Sequence, residues 1–167
     1  VYRVWSAASS SGEEAYSAAM ILAENLGPDG WEVFGSDLSA SVVESARTAL
    51  YPMVRGRQIP ERLLRRYCLK GHGPYEGQFL VSREIRANVR FEQINLMQPL
   101  PSIGPFDLIF LRNVLIYFEG EAKRHIVRSV ARCLRPGGAL LTGHAETLRG
   151  IRTSLLPVQP AVYECPS

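Results

Sequence analysis

The sequence predicts a doubly wound α/β fold, in which helices cover both faces of a largely parallel sheet. First, strand and helix patterns alternate along most of the 167 residues, which is typical of parallel βαβ units. Second, the predicted strands at residues 106–111 and 139–142 are almost continuously apolar, as expected of strands covered on both faces. Third, the first strand passes through a turn of small residues directly into a helix, a junction that binds ligands in such folds.

The first strand–helix unit contains this junction. Residues 3–6 alternate as a short strand, and the turn from Ala7 to Gly12 has no large side chain. The apolar stripe of the helix comprises Ala15, Ala18, Ala19, Leu22 and Leu26. The first N–H groups of a helix are unpaired and partly positive, so we expect the junction to bind a carboxylate or a phosphate.

The second unit places a carboxylate at the end of a strand. Residues 31–37 form this strand, and its last residue is Asp37. The next helix is expected to begin at Ser39 or Ser41, since Ser41 and Glu44 have the spacing of a capping box. The predicted apolar face of this helix comprises Val42, Val43, Ala46 and Leu50.

Further strands and one helix complete the alternating pattern. Strands are predicted at residues 89–94, 106–111 and 139–142, with two short ones at 155–158 and 161–164. The remaining helix has an apolar face of Ala122, Ile126, Val130 and Leu134. We expect Pro136-Gly137-Gly138 to end it.

One segment, at about residues 60–87, interrupts the alternation and is expected to form an inserted β-hairpin subdomain within a single domain covering 1–167. Residues 66–70 and 78–82 have strand character, and the turn-rich segment 71–77 suits an antiparallel connection. The edge of this hairpin either accepts a strand from a partner or only caps the core.

Composition excludes several classes of protein. With 46% hydrophobic and 21% charged residues and no apolar run that could span a bilayer, we expect a globular domain without membrane insertion. Cys68, Cys133 and Cys165 are widely spaced, which favours free thiols, a cytoplasmic location and no metal site. The net charge of +3 suits acidic partners or a solvated surface equally, and we expect a monomer that binds no nucleic acid. Because the chain opens on Val1, we expect it to be part of a longer protein.

The residues around Gly12 separate two classes of nucleoside ligand. Asp37 is placed to accept hydrogen bonds from ribose hydroxyls, which suits NAD and S-adenosylmethionine alike. A dinucleotide site needs G-x-G-x-x-G, whereas here only Gly12 is present and Glu13 and Glu14 follow it. Two carboxylates repel a pyrophosphate but suit the ammonium group of S-adenosylmethionine. Alternatively, the two carboxylates only complement the helix dipole.

Two other strand ends contribute candidate residues. Asn95 and Leu96 offer an amide beside an apolar side chain, which suits an adenine ring or simply caps a strand. Arg112 and Asn113 directly follow a buried strand and precede an aromatic pair that begins with Tyr117. Random surface chemistry seldom produces this arrangement, so we expect it to face a ligand.

Four runs of sequence, in this order and spacing, resemble the catalytic domain of CheR-type chemotaxis receptor methyltransferases. They are R-V-W-S-A-A-S-S-S-G-E-E-A-Y-S from Arg3, R-Y-C-L-K-G-H-G-P-Y-E-G from Arg66, G-P-F-D-L-I-F-L-R-N-V-L-I-Y-F from Gly104, and G-H-A-E from Gly143. The resemblance implies a Rossmann-like methyltransferase fold and a bacterial enzyme that transfers methyl groups from S-adenosylmethionine to glutamates on the signalling helices of chemoreceptors. S-adenosylhomocysteine would be released, and the hairpin would dock receptor tails.

Matching motifs also imply the site residues. The cofactor-binding set is Ala7 to Gly12, Glu13 or Glu14, Asp37, Asn95, Leu96, Arg112 and Asn113. Arg112 and Tyr117 would face the methyl-transfer region. Ala15 and Cys68 depart from the proline and the aromatic residue common in the family. The family's helical N-terminal domain, which covers the cofactor and contacts the receptor, has no counterpart in this chain.

The resemblance leaves several roles open. A glutamate acceptor is already ionised near neutral pH, so transfer needs alignment and exclusion of water rather than a general base. Arg112 orients the acceptor, contacts the cofactor or shapes the loop, and Tyr117 either donates a hydrogen bond or walls the pocket. His144 is expected to fasten a loop. Two other functions also fit: a methyltransferase-like module that binds cofactor or protein without turnover, and a methyltransferase for another acceptor.

Overall fold

A seven-stranded sheet forms the centre of the computed structural model, which describes residues 1–167, and a three-stranded sheet lies beside it. The strands are β1 (Tyr2–Ser6), β2 (Trp31–Asp37), β3 (Leu50–Pro52), β4 (Cys68–Lys70), β5 (Gln78–Val81), β6 (Val89–Gln93), β7 (Phe106–Leu111), β8 (Leu134–Thr142), β9 (Leu156–Gln159) and β10 (Val162–Glu164). The helices are α1 (Glu13–Leu26), α2 (Ala40–Thr48), α3 (Glu61–Tyr67), α4 (Arg83–Arg86) and α5 (Gly120–Ala131). Short 3-10 helices cover Met53–Gln58, Gly73–Tyr75 and Leu115–Tyr117.

The strand order of the large sheet is β6-β2-β1-β7-β8-β10-β9. The pairs from β6 to β8 are parallel, whereas β10 runs antiparallel to β8 and to β9. The chain therefore builds the sheet from β1 in one direction and restarts at β7 on the other side. Ligands of such sheets bind at this change of direction, beyond the carboxyl ends of the strands. The prediction of a doubly wound α/β fold is confirmed.

The two faces of the large sheet bury separate apolar clusters. One cluster joins α1 and α2 to the small sheet and includes Val4 and Phe79. The other packs α5 on the opposite face and includes Trp5 and Ile126. Successive residues of β1 point to opposite faces, so Val4 enters the first cluster and Trp5 the second. Burial on both sides explains why the central strands are apolar at nearly every position.

The buried face of α1 differs from the predicted stripe. Ala15 and Ala19 are buried as predicted, and Tyr16 and Met20 join them. Leu26, predicted on this face, is exposed. The helix packs against both the large sheet and the small sheet. Its buried face therefore includes Tyr16 and Met20, whose larger side chains reach the small sheet.

The start of α2 is decided by Ser39. Its hydroxyl accepts a hydrogen bond from the N–H of Val42 at 3.3 Å, so the first of the two predicted starts is confirmed and Ser41 is not the cap. At the other end, Ala49 adopts a left-handed conformation with φ 55° and turns the chain out of the helix. Leu50 consequently begins β3 instead of continuing the helical face.

The predicted end of α5 was also wrong. The helix ends at Ala131, and Leu134 is the first residue of β8. Pro136-Gly137-Gly138 lies within β8 and not at the helix end. The register between β7 and β8 shifts in this region, and such an irregularity accommodates a proline that cannot donate to the ladder.

The insertion contains the predicted hairpin and one further strand. Cys68 pairs with Val81 and Lys70 with Phe79, so the antiparallel pairing of β4 and β5 is confirmed. β3 pairs with the other side of β5, and the small sheet therefore begins before the boundary predicted near residue 60. Residues 66–67, predicted in the first hairpin strand, form the end of α3. β4 remains an edge strand.

The three cysteines are free, and burial raises the pKa of the Cys68 thiol to about 11. Burial also raises the pKa of the Cys133 thiol, so both are poor nucleophiles near neutral pH. No cluster of three or more potential metal-binding side chains is found. None of the helices combines the length and the apolar character needed to cross a membrane.

Candidate active site

The carboxyl ends of the parallel strands meet along one side of the sheet, which we call the strand-end edge. Across the sheet, this edge presents Asn95 after β6, Asp37 at the end of β2, the Ala7-to-Gly12 turn after β1, Arg112 after β7 and Gly143 after β8. The N–H of Ile94 donates to the Asp37 carbonyl at 2.9 Å and fixes the Asn95 segment beside β2. The topology thus brings the sequence-predicted residues together.

Ser36 holds the small-residue turn against the end of β2. Its carbonyl accepts a hydrogen bond from the N–H of Ser9 at 2.8 Å, and its hydroxyl donates to the Ala7 carbonyl at 2.9 Å. Trp5 Nε1 donates to the same hydroxyl at 2.9 Å. Ser36 is fully buried, so water does not compete for these bonds. The turn is therefore rigidly attached to the sheet before any ligand binds.

Gly12 stands between the turn and α1 at a position that accepts no side chain. Its φ is 98°, and a Cβ there would lie 2.9 Å from Tyr51 Oη and 3.0 Å from both Ala46 Cβ and Phe91 Cζ. Tyr51 Oη also donates to the Ser11 carbonyl at 2.6 Å. The small sheet, to which Tyr51 belongs, thus closes the far side of the turn.

Asp37 connects the turn to α2. Its Oδ2 accepts a hydrogen bond from the N–H of Ser10 at 3.0 Å, and its Oδ1 accepts one from the N–H of Ser39 at 3.1 Å. The Asp37 side chain is half-buried, and each oxygen keeps a lone pair for an external donor. This placement suits the predicted contact with ribose hydroxyls.

Glu14 contacts residues on both sides of the point where the strand order changes direction, between β1 and β7. Its Oε1 accepts a hydrogen bond from the Ser6 hydroxyl at 2.7 Å, and its Oε2 lies 3.5 Å from Arg112 Nη1. Only 26% of the Glu14 side chain is exposed. Burial raises the pKa of this carboxyl, although the Ser6 hydrogen bond and the Arg112 charge act in the lowering direction. A carboxylate that is incompletely compensated in this way favours an added cation.

Glu13 points to the small-sheet side of the turn. Its Oε2 lies 2.8 Å from Arg55 Nη1, and its Oε1 accepts a hydrogen bond from the Ser11 hydroxyl. Of the two acidic residues that the sequence left open, the structure therefore brings Glu14, and not Glu13, to Arg112.

A cavity of about 350 Å³ lies between α1 and the small sheet. Tyr16, Met20 and Phe79 contribute to its lining, together with the Glu13–Arg55 pair. Neither Asp37 nor Arg112 lines it, so this cavity is separate from most of the strand-end edge.

Asn95 and Leu96 lie beside Asp37, with different amounts of free surface. Asn95 is exposed, and its Oδ1 accepts a hydrogen bond from the N–H of Met97 at 2.9 Å. The amide nitrogen of Asn95 stays available to a ligand. Leu96 is 8% exposed and packs into the cluster beneath α5, which leaves it little surface for an adenine.

The segment after β7 is the more open part of the strand-end edge. The Arg112 side chain is 40% exposed, and Tyr117 is 76% exposed. Asn113 has a φ of 59°, in the left-handed region that asparagine tolerates. The structure thus joins Arg112 to Glu14 but leaves Tyr117 at the surface.

Glu146 connects the segments after β7 and β8, a role that the sequence did not predict. This residue is only 4% exposed. Its carboxylate accepts hydrogen bonds from the N–H groups of Asn113, Val114, Ile116 and Gly143. The G-H-A-E run was the available signal. His144, which we expected to fasten this loop, is exposed, and Glu146 fastens it instead.

The groups along this edge fit an adenosyl amino acid better than a dinucleotide. The N–H groups of Glu13 and Glu14 at the start of α1 have no acceptor and suit a carboxylate. Glu14 suits an ammonium group, and Asp37 suits ribose hydroxyls. The same carboxylates would repel a pyrophosphate.

Comparison with known proteins gives the family. The family model described as CheR methyltransferase, SAM binding domain, matches residues 1–162. The chain is 42% identical over 153 residues to the chemotaxis protein methyltransferase of Salmonella typhimurium, and 44% identical over 148 residues to that of Escherichia coli. These matches cover 90% and 87% of this chain but 53% and 52% of the relatives. The chain therefore spans about half the length of the curated relatives it matches.

A solved structure shares the fold at much lower identity. A TehB-like SAM-dependent methyltransferase from Corynebacterium glutamicum aligns with a TM-score of 0.52 and 14% identity, over 84% of this chain and 53% of its own. This likeness supports the fold alone, whereas the family match extends along nearly the whole chain. From its strand order, the residues of its strand-end edge and the match over residues 1–162, the chain belongs to the CheR methyltransferase family, as an S-adenosylmethionine-binding domain.

Proposed function

We propose that this chain is the catalytic part of a protein-glutamate O-methyltransferase that modifies bacterial chemoreceptors. The Salmonella and Escherichia coli relatives are named chemotaxis protein methyltransferases. The Glu14–Arg112 pair carries the proposal, because it sets a carboxylate for the cofactor's ammonium group beside a guanidinium for the acceptor's carboxylate. The pair also spans the change of strand direction, where doubly wound sheets bind ligands.

Each polar part of S-adenosylmethionine has a chemically matched partner along the strand-end edge. The N–H groups at the start of α1, just after the turn from Ala7 to Gly12, would bind its carboxylate. Glu14 would bind its ammonium group, and Asp37 its ribose hydroxyls. The free amide nitrogen of Asn95 would donate to an acceptor nitrogen of the adenine.

The methyl-transfer step requires alignment of the reactants rather than proton transfer. S-adenosylmethionine supplies an electrophilic methyl group on a sulfonium. A glutamate acceptor is ionised near neutral pH, so no residue of the chain has to remove a proton. Arg112 would orient the acceptor carboxylate, while its contact with Glu14 limits how far it neutralises that nucleophile. Alignment contributes up to about 7–11 kcal/mol in the most favourable cases.

The transfer end also has to exclude water. Tyr117 and Arg112 are too exposed to do so within this chain. We infer that residues outside the chain cover them, in the way the family resemblance implies for its helical N-terminal domain. Asn113 would line the boundary between the covered acceptor and the cofactor.

The small sheet is our candidate for docking a receptor tail. β4 is an edge strand that pairs with another strand on one side only, and an extended peptide can add to such an edge. Leu69, within this strand, and Tyr75, in the connection that follows it, are large and exposed, and they would hold apolar side chains of the peptide. The free cysteines agree with a reducing, cytoplasmic setting for this encounter.

Calorimetry with S-adenosylhomocysteine, on this chain and on a form extended at the N-terminus, tests the proposal. We expect dissociation constants on the order of micromolar for both forms. The longer form should also transfer labelled methyl groups to receptor fragments, and base treatment should release the label because the product is an ester. Absence of binding in both forms would refute the proposal.

A second candidate is a module that binds the cofactor without turnover, which the exposure of Arg112 and Tyr117 favours for the isolated chain. Binding by both forms without transfer by the longer one would support this alternative. A panel of other acceptors, tested on the longer form, separates it from a methyltransferase with a different substrate.

A further inference from the structure

Glu146 is a buried carboxylate that makes no ion pair. It is 4% exposed, and no arginine, lysine or histidine nitrogen lies within 4.0 Å of its oxygens. A buried charge is costly unless hydrogen bonds replace its hydration. The backbone supplies them here, in an arrangement that resembles an anion-binding nest of peptide N–H groups.

Each carboxylate oxygen of Glu146 accepts two of these bonds. Oε1 accepts from the N–H of Asn113 at 2.5 Å and from that of Gly143 at 2.9 Å, so it bridges two loops. Oε2 accepts from the N–H of Val114 at 3.0 Å and from that of Ile116 at 3.2 Å. An amide side chain cannot replace this carboxylate, because its nitrogen would face two N–H donors in either orientation.

The segment that Glu146 binds, residues 112–117, includes exposed side chains of the candidate site. Asn113 is held in its left-handed conformation at one end, and the N–H of Ile116 is bound just before Tyr117. Arg112, which contacts Glu14, directly precedes the first bound N–H. The backbone that presents these side chains therefore depends on a carboxylate from the neighbouring loop.

We propose that Glu146 is a positioning residue for methyl transfer, which fixes residues 112–117 so that Arg112 and Asn113 face the cofactor and the acceptor. The inference rests on the proposed function for what the segment does, but not for how it is held. Glu146 itself touches neither ligand in this account and acts through the backbone it binds.

Gly143 offers a way to disturb the same contact from the opposite side. A Cβ at Gly143 would lie 2.6 Å from Glu146 Oε1 and 3.2 Å from Asn113 Oδ1. Gly143→Ala therefore displaces the carboxylate without changing its charge. Thr142 supplies the matched control, since its hydroxyl donates to the backbone carbonyl of Glu146 at 2.9 Å and not to the carboxylate. Thr142→Val removes a buried hydrogen bond of the same loop with little change in shape.

The first test needs no ligand and measures amide hydrogen exchange at Asn113, Val114, Ile116 and Gly143. Glu146→Gln and Gly143→Ala should speed exchange there by about tenfold or more, because each weakens a buried acceptor. Thr142→Val should leave these amides within about threefold of the unchanged chain. Unchanged exchange in Glu146→Gln would overturn the proposal. If that variant does not fold, Gly143→Ala decides in its place.

The second test measures S-adenosylhomocysteine affinity and thermal unfolding in the same variants. Glu146→Gln should weaken binding by about tenfold, and Thr142→Val should keep its affinity even where its melting temperature falls as far. If both variants lose affinity in proportion to the fall in their melting temperature, Glu146 has only a structural role and the proposal is overturned. If neither the unchanged chain nor its N-terminally extended form binds S-adenosylhomocysteine, the proposed function fails, and hydrogen exchange still decides how the segment is held.

Discussion

The two halves of the strand-end edge are built in different ways. After β1 and β2, buried Ser36 and half-buried Asp37 hold the turn through backbone hydrogen bonds, and Gly12 packs without space for a side chain. After β7 and β8, Arg112 and Tyr117 remain exposed, and one carboxylate, that of Glu146, organises the backbone.

Under the proposed function, this difference separates cofactor binding from methyl transfer. The half after β1 and β2 is preorganised, so an adenosyl ligand would not have to order it. The half after β7 and β8 leaves Arg112 and Tyr117 exposed, so under the proposed function it would need cover before it could exclude water. Variants in the first half should therefore affect stability and affinity, and variants of the exposed Tyr117 in the second half should affect transfer. Glu146 should affect affinity as well, because the backbone it binds presents Arg112 and Asn113 to the cofactor.

The largest effect is expected in the first half, at Gly12. In Gly12→Ala, the new Cβ meets Tyr51, Ala46 and Phe91 at 2.9–3.0 Å, and the residue is strained at φ 98°. We expect the free energy of unfolding to fall by about 2–4 kcal/mol, measured by urea denaturation, from strain and overpacking together. S-adenosylhomocysteine binding should be lost with it.

Gly30→Ala is the control for strain. Gly30 has a φ of 87°, and a Cβ added there would meet nothing within 4 Å, so only the conformational cost remains. About 1 kcal/mol is expected there. Equal losses in the two variants would mean that the packing around Gly12 is loose, and the contrast between the two halves would weaken.

Asp37→Ala should produce the next largest effect, on affinity. The variant removes an acceptor for ribose hydroxyls and the contact that supports Ser10, so binding of S-adenosylhomocysteine should weaken by about 1–3 kcal/mol in calorimetry. Asp29→Ala, which removes an exposed carboxylate at the other end of β2, should bind normally. Unchanged affinity in Asp37→Ala would show that the nucleoside does not bind at the end of β2.

Periodicity predicted the central strands because burial on both faces leaves little choice of residue. β2 and β7 were predicted with their observed bounds, whereas the end of α5 was misplaced because Pro136-Gly137-Gly138 looks like a helix stop and lies in an irregular strand. A bulge depends on pairing with a distant strand, which local sequence does not reveal. β3 was missed for a similar reason, since three residues show no period.

The residues of the candidate site that directly follow a strand could be predicted from the sequence. Asp37, Arg112 and the small-residue turn lie at strand ends, and topology alone brings them together. The choice between Glu13 and Glu14 depended on Arg55 in the insertion, and the role of Glu146 depended on donors from another loop. Both are tertiary contacts, so the sequence identified the residue types without their partners.

Glu14→Gln tests the connection between the halves through pH. Burial raises the pKa of Glu14 above its ordinary value of 4.5, so the side chain gains a proton at higher pH than an exposed glutamate. Affinity for S-adenosylhomocysteine should therefore fall as pH drops through this raised pKa, and Glu14→Gln should show less of that fall. At pH 7 the variant should bind about 1–2 kcal/mol more weakly, through loss of a charged hydrogen-bond acceptor.

Stability should change in the opposite sense. A raised pKa in the folded state means that ionisation disfavours folding, so the unchanged chain loses stability as pH rises from 4.5 through the raised pKa. Glu14→Gln should lack this loss. Glu76→Gln, at an exposed glutamate of the insertion, should show neither effect. If S-adenosylhomocysteine affinity depends on pH in the same way in Glu14→Gln and in the unchanged chain, the ammonium group does not bind at Glu14.

Tyr117→Ala is expected to change binding and stability least, although it touches the second half directly. Tyr117 is 76% exposed and its hydroxyl donates no hydrogen bond, so the free energy of unfolding should change by less than about 0.5 kcal/mol. Affinity of this chain for S-adenosylhomocysteine should stay within about twofold, as it should in the control Tyr75→Ala. In the N-terminally extended form, transfer to receptor fragments that lack the tail should fall by about fivefold in Tyr117→Ala alone, because a contact to the acceptor or its cover is lost. A large loss of affinity in this chain would show that Tyr117 reaches the cofactor, and the two halves would then form one binding surface rather than two.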